Sequence, residues 1–208
     1  MPADRLFLVR HGQTASNVAQ TLGASHDDPL DAVGEAQARA VAAHLAGLPW
    51  DAPAAVYASP FRRARQTAQA IADALGVGVT VLPGLQEIEV GPHWRGRPYA
   101  HLVTHAHELE LPGGAFGFAG GETLSGVADR FLTALQGPLS RPDTPIVVSH
   151  GGALTAALAR LLGLDLRALW PDRRYAHANA ALTELRRMGP DWQVIRLADR
   201  RHLPSPTK

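Results

Sequence analysis

Apolar residues run without interruption through Leu6-Phe7-Leu8-Val9 and stop at Arg10-His11-Gly12. A short run of this kind, without polar alternation, fits a strand buried on both faces. The alanine-rich stretch Gly34–Leu45 has helical composition and ends near Gly47 and Pro49. A second strand is predicted at Ala54–Ala58. Ser59-Pro60 then reads as an N-cap followed by proline at the first helical position, opening a helix that closes at Gly76. Gly78–Leu82 is a third strand and Pro83-Gly84 a turn. The segment Glu87–Glu122 loses all periodicity except for one predicted helix, Tyr99–Glu110, and reads as an insertion that shapes a pocket. A helix over Thr123–Leu135 follows. Ile146–Val148 is another buried strand, ending at Ser149-His150-Gly151-Gly152, from which a helix runs to Leu162. Two late strands, Ala181–Arg187 and Gln193–Leu197, flank Gly189-Pro190 as a hairpin.

Strands alternating with helices predict an α/β fold, a three-layer α/β/α sandwich around a mostly parallel sheet. The 208 residues, 46% hydrophobic, suit a single domain spanning 1–208, with the pocket insertion at about 88–122 and a flexible tail at about 202–208. Charge narrows the partners. Twenty basic and 19 acidic side chains leave a net charge of +1, which predicts neither a nucleic-acid nor a membrane partner. The chain has no cysteine, which excludes disulfide scaffolds, thiolate zinc sites and thiol catalysis. No signal-peptide pattern opens the chain and no stretch is long enough to span a bilayer, so a cytoplasmic protein is expected, as a monomer or homodimer.

Ligands of such sheets bind at the carboxyl ends of the strands, where this chain places Arg10-His11-Gly12, Arg63, Glu87 and His150-Gly151. The residue types suit phosphoryl transfer, which needs an in-line nucleophile, positive charge around the equatorial oxygens and a proton for the leaving oxygen. A neutral imidazole at His11 can attack phosphorus and hold the group covalently. Arg10 and Arg63 offer planar donors matched to phosphate oxygens, and their charge lowers the pKa of His11. Gly12 allows close backbone approach. His150 opens a helix, whose free N–H groups favour an anion. Glu87, with nearby Glu89 as its rival, can protonate the leaving oxygen and then activate water. Asn17 either contacts the transferring group or caps the helix behind it.

Leu8-Val9-Arg10-His11-Gly12-Gln13-Thr14 with Asn17 resembles the signature of the histidine phosphatase superfamily, the phosphoglycerate mutase-like fold. The same family order continues through Asp28-Pro29-Leu30 with Gly34 and Gln37-Ala38, then Ser59-Pro60-Phe61-Arg62-Arg63-Ala64-Arg65-Gln66-Thr67-Ala68. Gly121-Glu122-Thr123 and Val147-Val148-Ser149-His150-Gly151-Gly152 complete it. The resemblance implies His11 as the phosphorylated residue, Arg10, Arg63 and His150 as the phosphate pocket, and Glu87 as proton donor. It favours Arg63 over Arg62; neighbouring helical residues point about 100° apart, so one of the two faces the phosphate. Gly12, Thr14, Asn17, Gly151 and Arg95 are the candidate substrate contacts. Relatives usually read Gly-x-Trp-Glu-Gly after the acid, whereas this chain has Gly91-Pro92-His93-Trp94-Arg95-Gly96, one residue longer and with arginine in place of glutamate. Asn179 matches a family position near the site and reads as structural support.

The leading expectation is hydrolysis of a small phosphomonoester without cofactor or metal. A cofactor-dependent phosphoglycerate-type mutase is the nearest rival; such mutases carry a longer middle insertion than Glu87–Glu122. A non-catalytic phospho-ligand binder needs no leaving-group acid, which counts against it. His101, His105 and His107 with Glu108 form a further cluster, His101 and His105 one helical turn apart. It raises a metallohydrolase reading, but the segment fits an exposed helix or a pocket wall better, and no metal ligand is assigned.

Overall fold

The computed structural model describes residues 2–204. Six strands form one sheet: β1 (Arg5–Arg10), β2 (Ala54–Ala58), β3 (Val79–Val81), β4 (Thr144–Ser149), β5 (Leu182–Met188) and β6 (Asp191–Asp199), in spatial order β3-β2-β4-β1-β5-β6. The first four are parallel, and the β5–β6 hairpin adds two antiparallel strands at one edge. Helices cover both faces, giving the predicted three-layer sandwich.

The unbroken apolar runs are explained by alternation between two cores. From β1, Phe7 and Val9 pack with Val56, Ile146 and Val148 beneath α2 (Ala32–Ala46) and α3 (Arg62–Leu75). Leu6 and Leu8 point the other way, towards α6 (Leu124–Ser140) and α7 (Gly151–Leu161), with Phe131, Leu135, Leu154 and Leu158. Neighbouring strands β1 and β4 therefore send their chains to opposite faces, β1 to α2 and β4 to α7. The crevice that opens there is where an α/β sheet holds its ligand.

Local chemistry moved several predicted boundaries. Asp31 caps α2 by accepting from Gly34 N at 2.7 Å, so the helix starts two residues before Gly34. Ser59 does not cap α3. The N-cap residue is Phe61, because the Ser59 hydroxyl accepts from Phe61 N and also bonds His150. The predicted helix 99–110 breaks at His105 into α5 (Ala100–Thr104) and a 3₁₀ turn, Ala106–Leu109, following α1 (Ala15–Val18) and α4 (Gly91–Trp94) in this series of short elements. Helix α6 runs on past Leu135 to Ser140, accepting Pro138 near its end. After α7 comes α8 (Leu166–Leu169). The tail expected to be flexible from residue 202 is anchored at its start. His202 bonds the Ala180 carbonyl at 3.0 Å and stacks on His44, and Leu203 packs on the α2/α3 core. Residues 205–208 of that expectation lie outside the described residues. Among the described residues, no helix is long and apolar enough to cross a membrane.

Candidate active site

The turn after β1 is pressed against the start of α2. A Cβ on Gly12 would run into the Gly34 carbonyl, and one on Gly34 into that of Gln13, so both positions require glycine. Gly12 N donates to Thr67 Oγ1 at 3.0 Å, and that hydroxyl in turn donates to Arg63 O at 2.9 Å. One threonine thus ties the β1 turn to the first turns of α3. This junction carries His11, which is 3% exposed.

His11 Nδ1 lies 2.7 Å from Gly12 O. A carbonyl can only accept, so this nitrogen carries the ring hydrogen and Nε2 keeps its lone pair. Nε2 accepts from Arg63 Nε at 3.2 Å. Burial, then the charges of Arg10 and Arg63, push the His11 pKa well below its ordinary value, and the Gly12 bond opposes them only in part. Arg63 is itself buried and fixed by Nη1 donating to Ser25 O at 2.7 Å, while Arg62 is exposed. Arg10 donates through Nη1 to His177 O at 2.7 Å, and its Nε is buried without a partner among the described residues. Gly151 leaves space beside the Arg10 guanidinium; a Cβ there would touch it at 3.7 Å.

His150 is fully buried, its ring 5.0 Å from those of both His11 and Phe61. Its Nε2 is 2.7 Å from Ser59 Oγ, and Nδ1 has no partner among the described residues. Ser59 Oγ accepts from Phe61 N and keeps one hydrogen of its own; when that hydrogen goes to Nε2, the ring hydrogen of His150 sits on the unpartnered Nδ1. Burial first, then His11, Arg63 and Arg10, hold the His150 pKa well below normal. His150 sits behind His11 and does not itself line the cavity described below.

The free N–H groups expected at the start of α7 are occupied by a side-chain carboxyl group of the protein itself. Glu87 Oε1 accepts from Ile88 N and Ala153 N at 2.9 and 2.8 Å, and Oε2 from Gly152 N at 3.1 Å. Oε1 is doubly satisfied, so Oε2 is the oxygen available for a proton. The rival Glu89 turns instead to Arg95 Nη2 at 2.6 Å.

Arg130, in α6, was absent from the sequence-based site. Its Nη1 donates to Gly84 O and Gln86 O at 2.8 and 2.9 Å, and its Nη2 to Glu87 O at 3.1 Å, while Nε and Nη2 grip Glu122 at 2.7 and 2.9 Å. It therefore holds the loop that presents Glu87. The one signal in the sequence was its spacing, two helical turns after Glu122. Asn179 was read as support; its Nδ2 donates to His11 O at 3.2 Å and to Asn17 Oδ1 at 2.8 Å.

Arg10, His11, Arg63, Glu87, Asn17, Gly151 and Arg95 line one cavity of about 1470 Å³. Asn17 both caps and lines: Oδ1 accepts from Thr14 N at 3.2 Å, and Nδ2 donates to the Tyr99 hydroxyl at 3.5 Å. Thr14, an expected substrate contact, is fully buried and uses its hydroxyl to accept from Asn17 N, so it acts as a cap and reaches the cavity only through Asn17. A smaller cleft of about 410 Å³ lies beyond Phe116 and Arg167 and holds none of the catalytic candidates. The histidine cluster does not assemble as spaced. Among the described residues, His93, His101 and Glu108 approach one another, while His105 stacks on His101 and His107 faces the large cavity. Arg97 Nη1 lies 3.1 Å from His101 Nε2, a positive group where a cation would have to sit.

Residues 6–200 match the model of the histidine phosphatase superfamily, branch 1. A probable phosphoglycerate mutase, GpmB of Yersinia enterocolitica, is 32% identical over 213 residues, covering 97% of this chain and 96% of the relative. The mycobacterial glucosyl-3-phosphoglycerate phosphatase is similar in structure, with a TM-score of 0.77 and 27% identity over 95% of this chain and 99% of that one. YhfR of Bacillus stearothermophilus superposes with a TM-score of 0.82 at 25% identity, over 97% and 100% of the two chains.

Proposed function

Since the chain belongs to the histidine phosphatase superfamily, we propose that it is a metal-independent phosphatase that hydrolyses a phosphomonoester through a phosphohistidine on His11. The observation that carries this reading is the state of the His11 ring: Nδ1 bound to Gly12 O, Nε2 unprotonated beside Arg63, and the ring held neutral by burial.

In the first step the Nε2 lone pair forms the N–P bond as the P–O bond to the alcohol breaks, and the proton on Glu87 Oε2 passes to the leaving oxygen. In the second, Glu87 takes a proton from water, the hydroxide forms a P–O bond, and the N–P bond returns its electron pair to Nε2. Arg10 Nε and Arg63 are the donors for the non-bridging oxygens and supply the positive charge that takes a metal's place in stabilising the transition state, while His150, neutral and packed edge-on to His11, backs the pocket with its unpartnered Nδ1.

The phosphatase activity of the mycobacterial neighbour supports hydrolysis, as does the short segment between Glu87 and Glu122. The name of the Yersinia relative favours a second reading, transfer between positions of a phosphoglycerate. Product analysis in excess chelator separates them. Free phosphate is expected; an isomerised ester with no phosphate released rejects hydrolysis.

A further inference from the structure

The cavity that reaches His11 is larger than a phosphate and a three-carbon acid require. At about 1470 Å³ it exceeds the ~300–1,000 Å³ of ordinary small-ligand sites. Its phosphate end is polar, whereas the wall furnished by the segment after Glu87 and by the residues around α8 combines a run of apolar side chains with a few charged ones. Leu102, Val103, Phe116, Phe118 and Trp170 line it, with Val103 76% exposed and Phe118 edge-on to Trp170 at 6.3 Å.

The charges on that wall are already matched. Apart from Arg10 and Arg63, the arginines lining the cavity among the described residues are Arg95 and Arg167. Arg95 donates to Glu89 at 2.6 Å, and Arg167 donates to Glu110 and to the Gly114 carbonyl while lying over the Phe116 ring. A substrate carboxylate would have to replace a carboxylate already in place, with Glu89 and Glu110 left nearby to repel it. That exchange yields little while still costing the desolvation of the new anion. An uncharged apolar tail meets no such competition and removes water from Leu102, Phe116 and Trp170.

We propose, resting on the phosphatase reading above, that the site takes phosphomonoesters of bulky, uncharged, largely apolar alcohols and discriminates against short esters with a second anionic group, phosphoglycerates among them. Glu89 and Glu110 are the residues that reject the second anion, and Phe116 and Trp170 those that select the tail.

The test compares kcat/KM for ethyl, hexyl and cyclohexylmethyl phosphates, whose leaving oxygens need similar protonation, with that for 3-phosphoglycerate. Hexyl and cyclohexylmethyl phosphates should exceed ethyl phosphate roughly tenfold or more, with 3-phosphoglycerate no better than ethyl. Phe116→Ser and Trp170→Ser should lower the hexyl-to-ethyl ratio, and Glu89→Gln should raise 3-phosphoglycerate relative to hexyl phosphate by freeing Arg95. Rates independent of tail size, or 3-phosphoglycerate preferred by the unmodified protein, overturn the proposal and leave the phosphatase reading standing. No phosphate from any ester and no phosphohistidine overturn both.

Discussion

Arg63 directs its Nε–H at Nε2 of His11 from 3.2 Å, and both side chains are 3% exposed. A buried cation cannot tolerate a second proton on the atom it faces, so this contact and the Gly12 carbonyl fix one tautomer of a neutral ring between them. The ring proposed as nucleophile is set before substrate arrives. Titration of labelled His11 by NMR should show it neutral, with hydrogen on Nδ1, at pH 6.5; a ring half-protonated there contradicts the account.

Stability should fall in acid for the same reason. His11, His150 and His177 all have lowered pKa values, each chiefly through burial, and that of His177 is lowered to about 4. Between the unfolded value of 6.5 and the folded values, the unfolded chain binds more protons, so stability is complete above 6.5 and is lost as pH falls through this window. His177 alone contributes on the order of 3 kcal/mol by pH 4. Urea midpoints should decline from pH 6.5 to 4, and His177→Gln should flatten the slope; an unchanged slope rejects the assignment.

Arg130 should act through Glu87. Arg130→Lys loses the planar fork that spans three carbonyls and Glu122. The rate with alkyl phosphates is expected to drop about tenfold to a hundredfold, and the rate with activated aryl phosphates less, because a good leaving group needs little protonation. Glu87→Ala should show the same asymmetry. Equal losses on both substrate types would mean that Arg130 serves the fold alone.

The glycine pair should be intolerant. Gly12→Ala and Gly34→Ala each drive a methyl into backbone, with an expected cost of about 2–4 kcal/mol. Gly76→Ala meets open space and only a left-handed φ of 67°, so about 1 kcal/mol is expected. Denaturation midpoints decide; equal costs at the three sites contradict the packing described.

The sandwich was legible because its central strands β1 and β4 are buried on both faces and read as continuous apolar runs. His11, Arg63 and His150 were legible because each follows such a run in a glycine- or proline-marked turn. What escaped depends on partners distant in sequence. Nothing local reveals that Arg130 reaches back to Gly84 and Gln86, or that Glu87 occupies the helix N-terminus offered by Gly152 and Ala153. Thr14 was misplaced because a capping hydroxyl and a ligand-facing one have the same sequence signature. The break at His105 was hidden in a stretch with no strong helix stop.

The central claim concerns one bond. Protein mixed with a hydrolysable phosphomonoester in excess chelator, quenched in alkali and digested, should give a peptide with one added phosphoryl group on His11. That group should be acid-labile and absent from His11→Ala, which should also lose turnover. Turnover retained in His11→Ala, or a phosphoryl group found on another residue, contradicts the account.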